Sequence, residues 1–197
     1  MNGRTAVITA LAVTILGSLY LIYTPSSITF HMSPTGVPAS ENIPGLEFKL
    51  SQISKNPPSL LVTLRNNNPS STFTVLKWGT PLDPQASNLG IFKMFDADTG
   101  KEVLIDRLMI NRKMPPSRED LHEIAPGTEH ATEVVFNKPW MPAKKPAKYQ
   151  IKVEGQFKAV WEKTAREVGT NELEELGGSN VLINRPFQSE EVLLTVE

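Results

Sequence analysis

Residues 148–160, KYQIKVEGQFKAV, decide the fold class, because their apolar side chains alternate with polar ones. Tyr149, Ile151 and Val153 fall on one face of an extended chain. Alternation with a period of two predicts a β-strand with one buried face. Gly155 interrupts the alternation and predicts a β-bulge. The chain therefore builds its core on at least one sheet.

The same pattern recurs on both sides of this stretch. Leu46, Phe48 and Leu50 alternate with polar residues, and Asp98–Lys101 (DTGK) is a turn that joins two arms of a hairpin. Strands are expected at 46–51, 59–66, 72–79, 90–97, 101–105, 106–112, 120–124, 129–137, 148–160 and 189–197. Short strands separated by turns, seven to nine in the finished fold, predict an all-β class: an antiparallel, immunoglobulin-like β-sandwich.

One segment, 161–177, breaks this strand pattern. Glu162 and Arg166 lie four residues apart, and NELEELGG ends in glycines that stop a helix. A short helix is therefore expected near 161–177.

Composition excludes several classes of function. The chain has 197 residues with 20 basic and 21 acidic side chains, and this balance argues against nucleic-acid binding. Cysteine is absent, which removes disulfides, thiolate zinc sites and cysteine nucleophiles. Sixteen prolines and twelve glycines are spread along the chain, as suits many short strands joined by turns.

The N-terminus carries a hydrophobic segment. Arg4 precedes the uncharged run TAVITALAVTILGSLYLIY, residues 5–23, which predicts an apolar helix. Two interpretations stay open: residues 1–25 are a cleaved signal peptide, or they are a signal anchor that keeps 5–23 in the membrane. Residues 26–45 are expected to be a Pro/Ser/Thr-rich linker and 46–197 the folded domain. Both interpretations send that domain into the secretory pathway, secreted or anchored outside the cytosol.

No catalytic or metal-binding motif is present. His122-Glu123 begins like a zinc-protease helix, but Pro126 stands where the second histidine is required. The chain also lacks a nucleophile elbow and a phosphate-binding glycine loop. We therefore expect no enzymatic activity, no metal and no cofactor.

The loop NKPWMPAKKPAK, residues 137–148, holds the residues most suited to binding a partner. Trp140 and Met141 stand beside Lys144 and Lys145, and an exposed aromatic flanked by lysines is a common anchor in protein interfaces. The alternative is a proline-stiffened connection whose tryptophan caps one end of the sandwich.

Trp78 is expected in the core. Basic residues are also grouped in 107–120, where a solvated loop is expected; they are Arg107, Arg112, Lys113 and Arg118.

Four segments together resemble a known family. They are VLKWGTPLD (75–83), GIFKMFDADTGKEVLI (90–105), EIAPGTE (123–129) and RPFQSEEVLLTV (185–196). In these segments the chain resembles the N-terminal propeptide domain of fungal deuterolysin-type and peptidyl-Lys metalloendopeptidases, over residues 46–197. In that family a zinc protease domain with HExxH follows the propeptide, whereas this sequence ends at Glu197.

The resemblance implies a propeptide-like sandwich without its protease. The expected function is a non-catalytic extracytoplasmic binding module, a protease inhibitor or folding helper whose partner is a deuterolysin-type metalloprotease or another extracytoplasmic protein. Two alternatives stay open: a truncated precursor of a secreted zinc metalloendopeptidase, and a membrane-tethered surface protein.

Overall fold

The computed structural model describes residues 41–197. These residues form nine β-strands and one α-helix: β1 (Leu46–Lys55), β2 (Pro58–Asn66), β3 (Phe73–Leu76), β4 (Phe92–Asp96), β5 (Leu121–Ile124), β6 (Glu129–Val135), β7 (Ala147–Trp161), α1 (Thr170–Glu175), β8 (Val181–Gln188) and β9 (Val192–Val196). This confirms the all-β class, the strand number and the short helix.

The predicted N-terminal hydrophobic helix and the signal peptide or anchor at 1–25 lie outside the described residues, as does the linker up to residue 40. Across 41–197, no helix has both the length and the apolar character needed to cross a bilayer. The predicted boundaries at 25 and 45 stay predictions.

The first sheet has three antiparallel strands in the order β1-β2-β6. Its central strand, β2, buries Leu60, Val62 and Leu64 completely. Side chains two residues apart point to the same face of a strand, so one face of this sheet lies in the core.

The second sheet is organised by β7, which is fifteen residues long. Along one edge of β7, β4 pairs with its first half and β3 with its second half, and β5 continues outward from β3. Along the other edge, β9 pairs with the first half and β8 with the second. β7 thus has strand partners on both edges near its start, at 149–151, and at its end, at 160–161.

The two sheets bury one main apolar core between them. Phe48 of β1, Phe157 of β7 and Phe187 of β8 stack with ring centroids 4.9–5.8 Å apart. Ala159 and Trp161, at the end of β7, belong instead to a second cluster that includes Leu173 of α1. The end of β7 is therefore covered on both faces.

Gly155 does not form the predicted bulge. The register of β7 with β8 continues unchanged through the pair Gly155–Phe187. A Cβ atom at Gly155 would lie 2.8 Å from Cζ of Phe187, so glycine is required there because a ring packs onto the backbone. The irregularity in strand register falls in β1, between Gln52 and Ser54.

The strand predicted at 106–112 is wrong, and the one at 101–105 is reduced to a single bridge between Phe95 and Glu102. After Val103 donates its amide to the carbonyl of Met94, the chain leaves the edge of β4. A surface pocket of about 270 Å³ is lined by residues of β4 on one side and by residues 102–105 and Arg107 on the other. Apolar composition suggested a strand here, but no neighbouring edge pairs with the backbone.

The sequence reasoning missed β8. Pro186 lies within it and Asn184 has a φ of 52°, and both features are typical of turns. Pro186 is tolerated because β8 is an edge strand that pairs with β7 alone among the described strands.

Candidate interaction surface

Exposed apolar side chains are concentrated in one irregular segment, residues 103–114 (VLIDRLMINRKM), here called the apolar loop. Seven large hydrophobic side chains are exposed in the described part of the chain, and four of them lie in this loop: Leu104 (84%), Leu108 (52%), Met109 (98%) and Met114 (47%). Single exposed apolar residues are ordinary, but a cluster marks a surface that contacts something. The apolar loop is therefore the candidate site.

The N-terminal end of the apolar loop is fixed on the sandwich. Asp96 Oδ1 accepts hydrogen bonds from the amides of Asp98 (3.1 Å) and Thr99 (2.8 Å), which shapes the hairpin turn before the loop. Val103 and Ile105 pack against the main core. The alternation that buries 103 and 105 turns Leu104 outward.

A buried ion pair fixes the other half of the loop. The Asp83 side chain is fully buried, and its Oδ2 accepts from Arg112 Nη2 at 2.5 Å. The same carboxylate also accepts from the backbone amides of Gly79 (3.1 Å) and Gln85 (2.9 Å). The buried carboxylate thus has both oxygens satisfied, by one cation and two backbone amides. We call this pair the Asp83–Arg112 clamp.

Trp78 contacts the Arg112 side of the clamp. The Arg112 guanidinium lies 5.7 Å from the Trp78 ring centroid, a cation–π distance. Trp78 is buried, as expected, and its indole Nε1 donates to Asp120 Oδ1 at 2.8 Å. Burial raises the pKa of Asp120, but hydrogen bonds from Ser117 and Trp78 outweigh it and hold the pKa below its ordinary value. The Asp120 carboxylate that accepts from Trp78 is thus kept ionised.

The predicted binding residues lie in the segment 137–148, here called the lysine loop. Trp140 is half-buried: its ring meets that of Phe136 edge-on at 6.4 Å, and Nε1 donates to Asn88 Oδ1 at 3.5 Å. Met141 also packs against the core. Lys144 and Lys145 are exposed, and Lys144 lies 3.7 Å from Asp98. Trp140 and Met141 thus pack against the core, and the lysines are the accessible part of the loop.

The structure brings the two loops together, which the sequence did not predict. The carbonyl of Asn88 accepts from the amide of Leu108 at 2.8 Å, and its side-chain oxygen accepts from Trp140. Asn88 therefore joins the apolar loop to the lysine loop. The exposure of Leu104, Leu108 and Met109 was not predicted, because strands are expected from the sequence at 101–105 and 106–112.

Two histidines meet where the chain passes from one sheet to the other. His122 lies on β5 and His130 on β6, with ring centroids 3.9 Å apart. Burial, then the proximity of His130 and Lys77, lowers the pKa of His122 from 6.5 to about 4. Burial and Lys77 also lower the pKa of His130. Within residues 41–197, no group of three or more His, Cys, Asp or Glu residues is arranged to hold a metal ion.

Comparison with known proteins places the fold in a family. One relative, from Arthroderma benhamiae, bears the name "Uncharacterized secreted protein" and is 36% identical over 129 residues. The match covers 64% of this chain and 64% of that relative. The sequence model of the immunoglobulin-like domain matches residues 45–196, nearly the whole sandwich. Given also its two antiparallel sheets, the chain belongs to the immunoglobulin-like domain family.

Proposed function

We propose that this protein is a non-catalytic, extracytoplasmic binding module that contacts a protein partner through its apolar loop. The observation that carries the proposal is the exposure of Leu104 (84%) and Met109 (98%) in a loop fixed by a buried ion pair. An ordered loop loses less conformational entropy on binding than a free one, so its apolar contacts contribute more to affinity. Binding residues are often carried by loops on a rigid scaffold.

Two observations support a place outside the cytosol. The relative from Arthroderma benhamiae is named a secreted protein. Residues 5–23 have the uncharged, apolar composition of a signal peptide or anchor behind Arg4. We expect the purified natural protein to be soluble and to lack roughly its first 25 residues, the length of a typical signal peptide. Intact mass measurement checks this, and a membrane-bound form of full mass would support the anchor instead.

The proposed partner is a secreted zinc metalloprotease of the deuterolysin type, with this protein as inhibitor or folding helper. The stretch with the most specific resemblance to the propeptides, residues 75–105, includes VLKWGTPLD (75–83), which supplies Trp78 and Asp83. In this fold those residues hold the apolar loop in place. The resemblance and the candidate surface thus involve the same part of the molecule.

The direct test mixes the purified full-length gene product with a purified deuterolysin-type metalloprotease. Calorimetry and a peptidase assay are expected to show a complex at micromolar concentration and changed protease activity. The double variant Leu104→Ser/Met109→Ser should weaken the complex at least about tenfold, since hot-spot side chains contribute 1–2 kcal/mol or more each.

The matched control is Ile53→Ser/Leu193→Ser, because these side chains are 50% and 44% exposed but lie on β1 and β9. The control should bind as the unmodified protein does. Absence of a complex together with unchanged protease activity would refute the proposed function.

A further inference from the structure

Charge is distributed unevenly over this nearly neutral chain. The apolar loop and the lysine loop together carry seven basic side chains and one acidic side chain, Asp106. The rest of the chain carries thirteen basic and twenty acidic side chains. The overall net charge of -1 therefore conceals a basic region of two adjacent loops on an otherwise acidic protein.

Basic side chains lie next to the exposed apolar ones in the sequence and in the adjoining lysine loop. Arg107 and Lys113 flank Leu108 and Met109 in sequence and are exposed. The lysine loop, tied to Leu108 through Asn88, adds four lysines and no carboxylate: Lys138, Lys144, Lys145 and Lys148. Of the loop cations, Arg112 is occupied by the buried Asp83 and Lys144 by the exposed Asp98. The remaining five have no carboxylate within ion-pair distance in the described residues.

We infer that this surface recognises a protein whose contact area is apolar at the centre and acidic at the rim. The inference rests on the proposed function and names the chemistry of the partner. Apolar contacts at the centre of an interface supply most of the affinity, and complementary charges at the rim set the association rate and the choice of partner. The four exposed apolar side chains correspond to the centre. The loop cations other than Arg112 correspond to the rim, including Lys144, whose pair with Asp98 is itself exposed to solvent.

A membrane surface is the competing occupant, because basic and apolar side chains together also bind anionic lipid. Two features favour a protein. The strongly anionic leaflet of a cell membrane faces the cytosol, whereas this domain is proposed to lie outside it. The apolar loop is also irregular and clamped, not an amphipathic helix with a continuous apolar face.

The test uses two fluorescent peptides of equal length, one alternating Glu and Leu and the other alternating Lys and Leu. Anisotropy titrations with the full-length protein should show binding of the Glu/Leu peptide at least about tenfold tighter than of the Lys/Leu peptide. The affinity for the Glu/Leu peptide should fall severalfold between about 50 and about 300 mM NaCl, because salt screens exposed charges.

Charge-reversal variants distinguish an effect of the cations at the rim from an effect of the overall net charge. Lys144→Glu/Lys145→Glu should weaken the Glu/Leu complex about tenfold, while Lys49→Glu/Lys55→Glu, which changes the net charge equally on β1, should change it less than about twofold. Equal affinity for the two peptides, equal effects of the two reversals, or tighter binding to phosphatidylserine vesicles than to the Glu/Leu peptide would overturn the inference.

The inference and the proposed function fail in different ways. If the Glu/Leu peptide binds but no metalloprotease does, the partner class under the proposed function is wrong and the surface chemistry stands. If a metalloprotease binds through Leu104 and Met109 with no dependence on salt or on Lys144 and Lys145, the acidic rim is wrong and the proposed function stands.

Discussion

The strand β7 and the apolar loop have similar compositions, but the apolar side chains of β7 are buried and those of the loop are largely exposed. Both combine large apolar residues with lysine or arginine, yet β7 buries Tyr149, Ile151 and Val153 almost completely while Leu104 and Met109 face solvent. The difference is in their neighbours. Four strands pair with β7, whereas the apolar loop leaves the edge of β4 after a single bridge. Apolar character alone does not make a strand, because backbone amides and carbonyls also need partners.

The energetic consequence is that the two regions have different roles. Burial of β7 contributes to the stability of the fold, so substitutions there should unfold the protein. The exposed face of the loop contributes almost nothing to stability and is available for binding, whereas its clamp connects the loop to the fold. Substitutions in β7, in the clamp and on the loop surface should therefore have effects of decreasing size.

The largest effect is expected from Trp161→Ala at the end of β7. Trp161 is fully buried, and its indole Nε1 donates to the carbonyl of Gly177 at 3.0 Å. Removing the ring leaves a cavity and an unpaired carbonyl, so we expect a loss of about 3–5 kcal/mol in the free energy of unfolding. Urea denaturation followed by circular dichroism measures it. A loss below about 1 kcal/mol would show that the second core cluster does not support β7.

The clamp should give the next largest effect. Asp83→Asn leaves the partly buried Arg112 guanidinium without its anion, so we expect a loss of about 2–3 kcal/mol in the free energy of unfolding. The loop should also become cleavable by trypsin at Arg107 or Lys113 before the rest of the domain is cut.

A double variant, Asp83→Asn/Arg112→Met, removes the unpaired charge and is the control for this prediction. It should recover part of the stability while keeping the loop sensitive to trypsin. If the single variant unfolds like the natural protein and its loop resists trypsin, the clamp does not hold the loop.

The comparison also shows how far the sequence could lead. Alternation was enough to predict β1, β2 and β7, because their apolar faces meet the core and their register follows from that face. The strand expected at 106–112 from apolar composition did not form, because the availability of a neighbouring strand edge depends on the whole fold. β8 was not predicted because Pro186 and Asn184 are typical of turns. The sequence does not show that this strand lies at an edge, where a proline is tolerated. The clamp joins residues 29 positions apart, Asp83 and Arg112, so no local pattern reveals it.

Acidification should have a smaller effect on the free energy of unfolding. The effect arises at His122 of β5, a strand of the sheet built on β7. Burial, His130 and Lys77 lower the pKa of His122 to about 4 in the folded protein, whereas the ordinary value is 6.5. The unfolded chain therefore binds more protons between these two values, so the free energy of unfolding falls as the pH drops through that window. Because the ring is half-buried and partly screened by solvent, we expect about 1–2 kcal/mol.

The measurement is urea denaturation of the natural protein and of His122→Gln at pH 7.5 and at pH 4.5, values chosen about one unit above the ordinary pKa of histidine and well below it. The variant should lose less stability between the two pH values, because glutamine does not titrate. Equal losses would show that His122 is not protonated on unfolding in this range.

The smallest effect on stability, and the sharpest test of the comparison, comes from the loop surface. Met109 is 98% exposed, so Met109→Ser should change the free energy of unfolding by less than about 0.5 kcal/mol. The same change of an apolar side chain to serine at Ile151 of β7, which is fully buried, should cost about 3 kcal/mol or more. Urea denaturation of the two variants gives both values. If Met109→Ser destabilised the domain as much as Ile151→Ser, the loop would be part of the core in solution, and the surface proposed for binding would not exist.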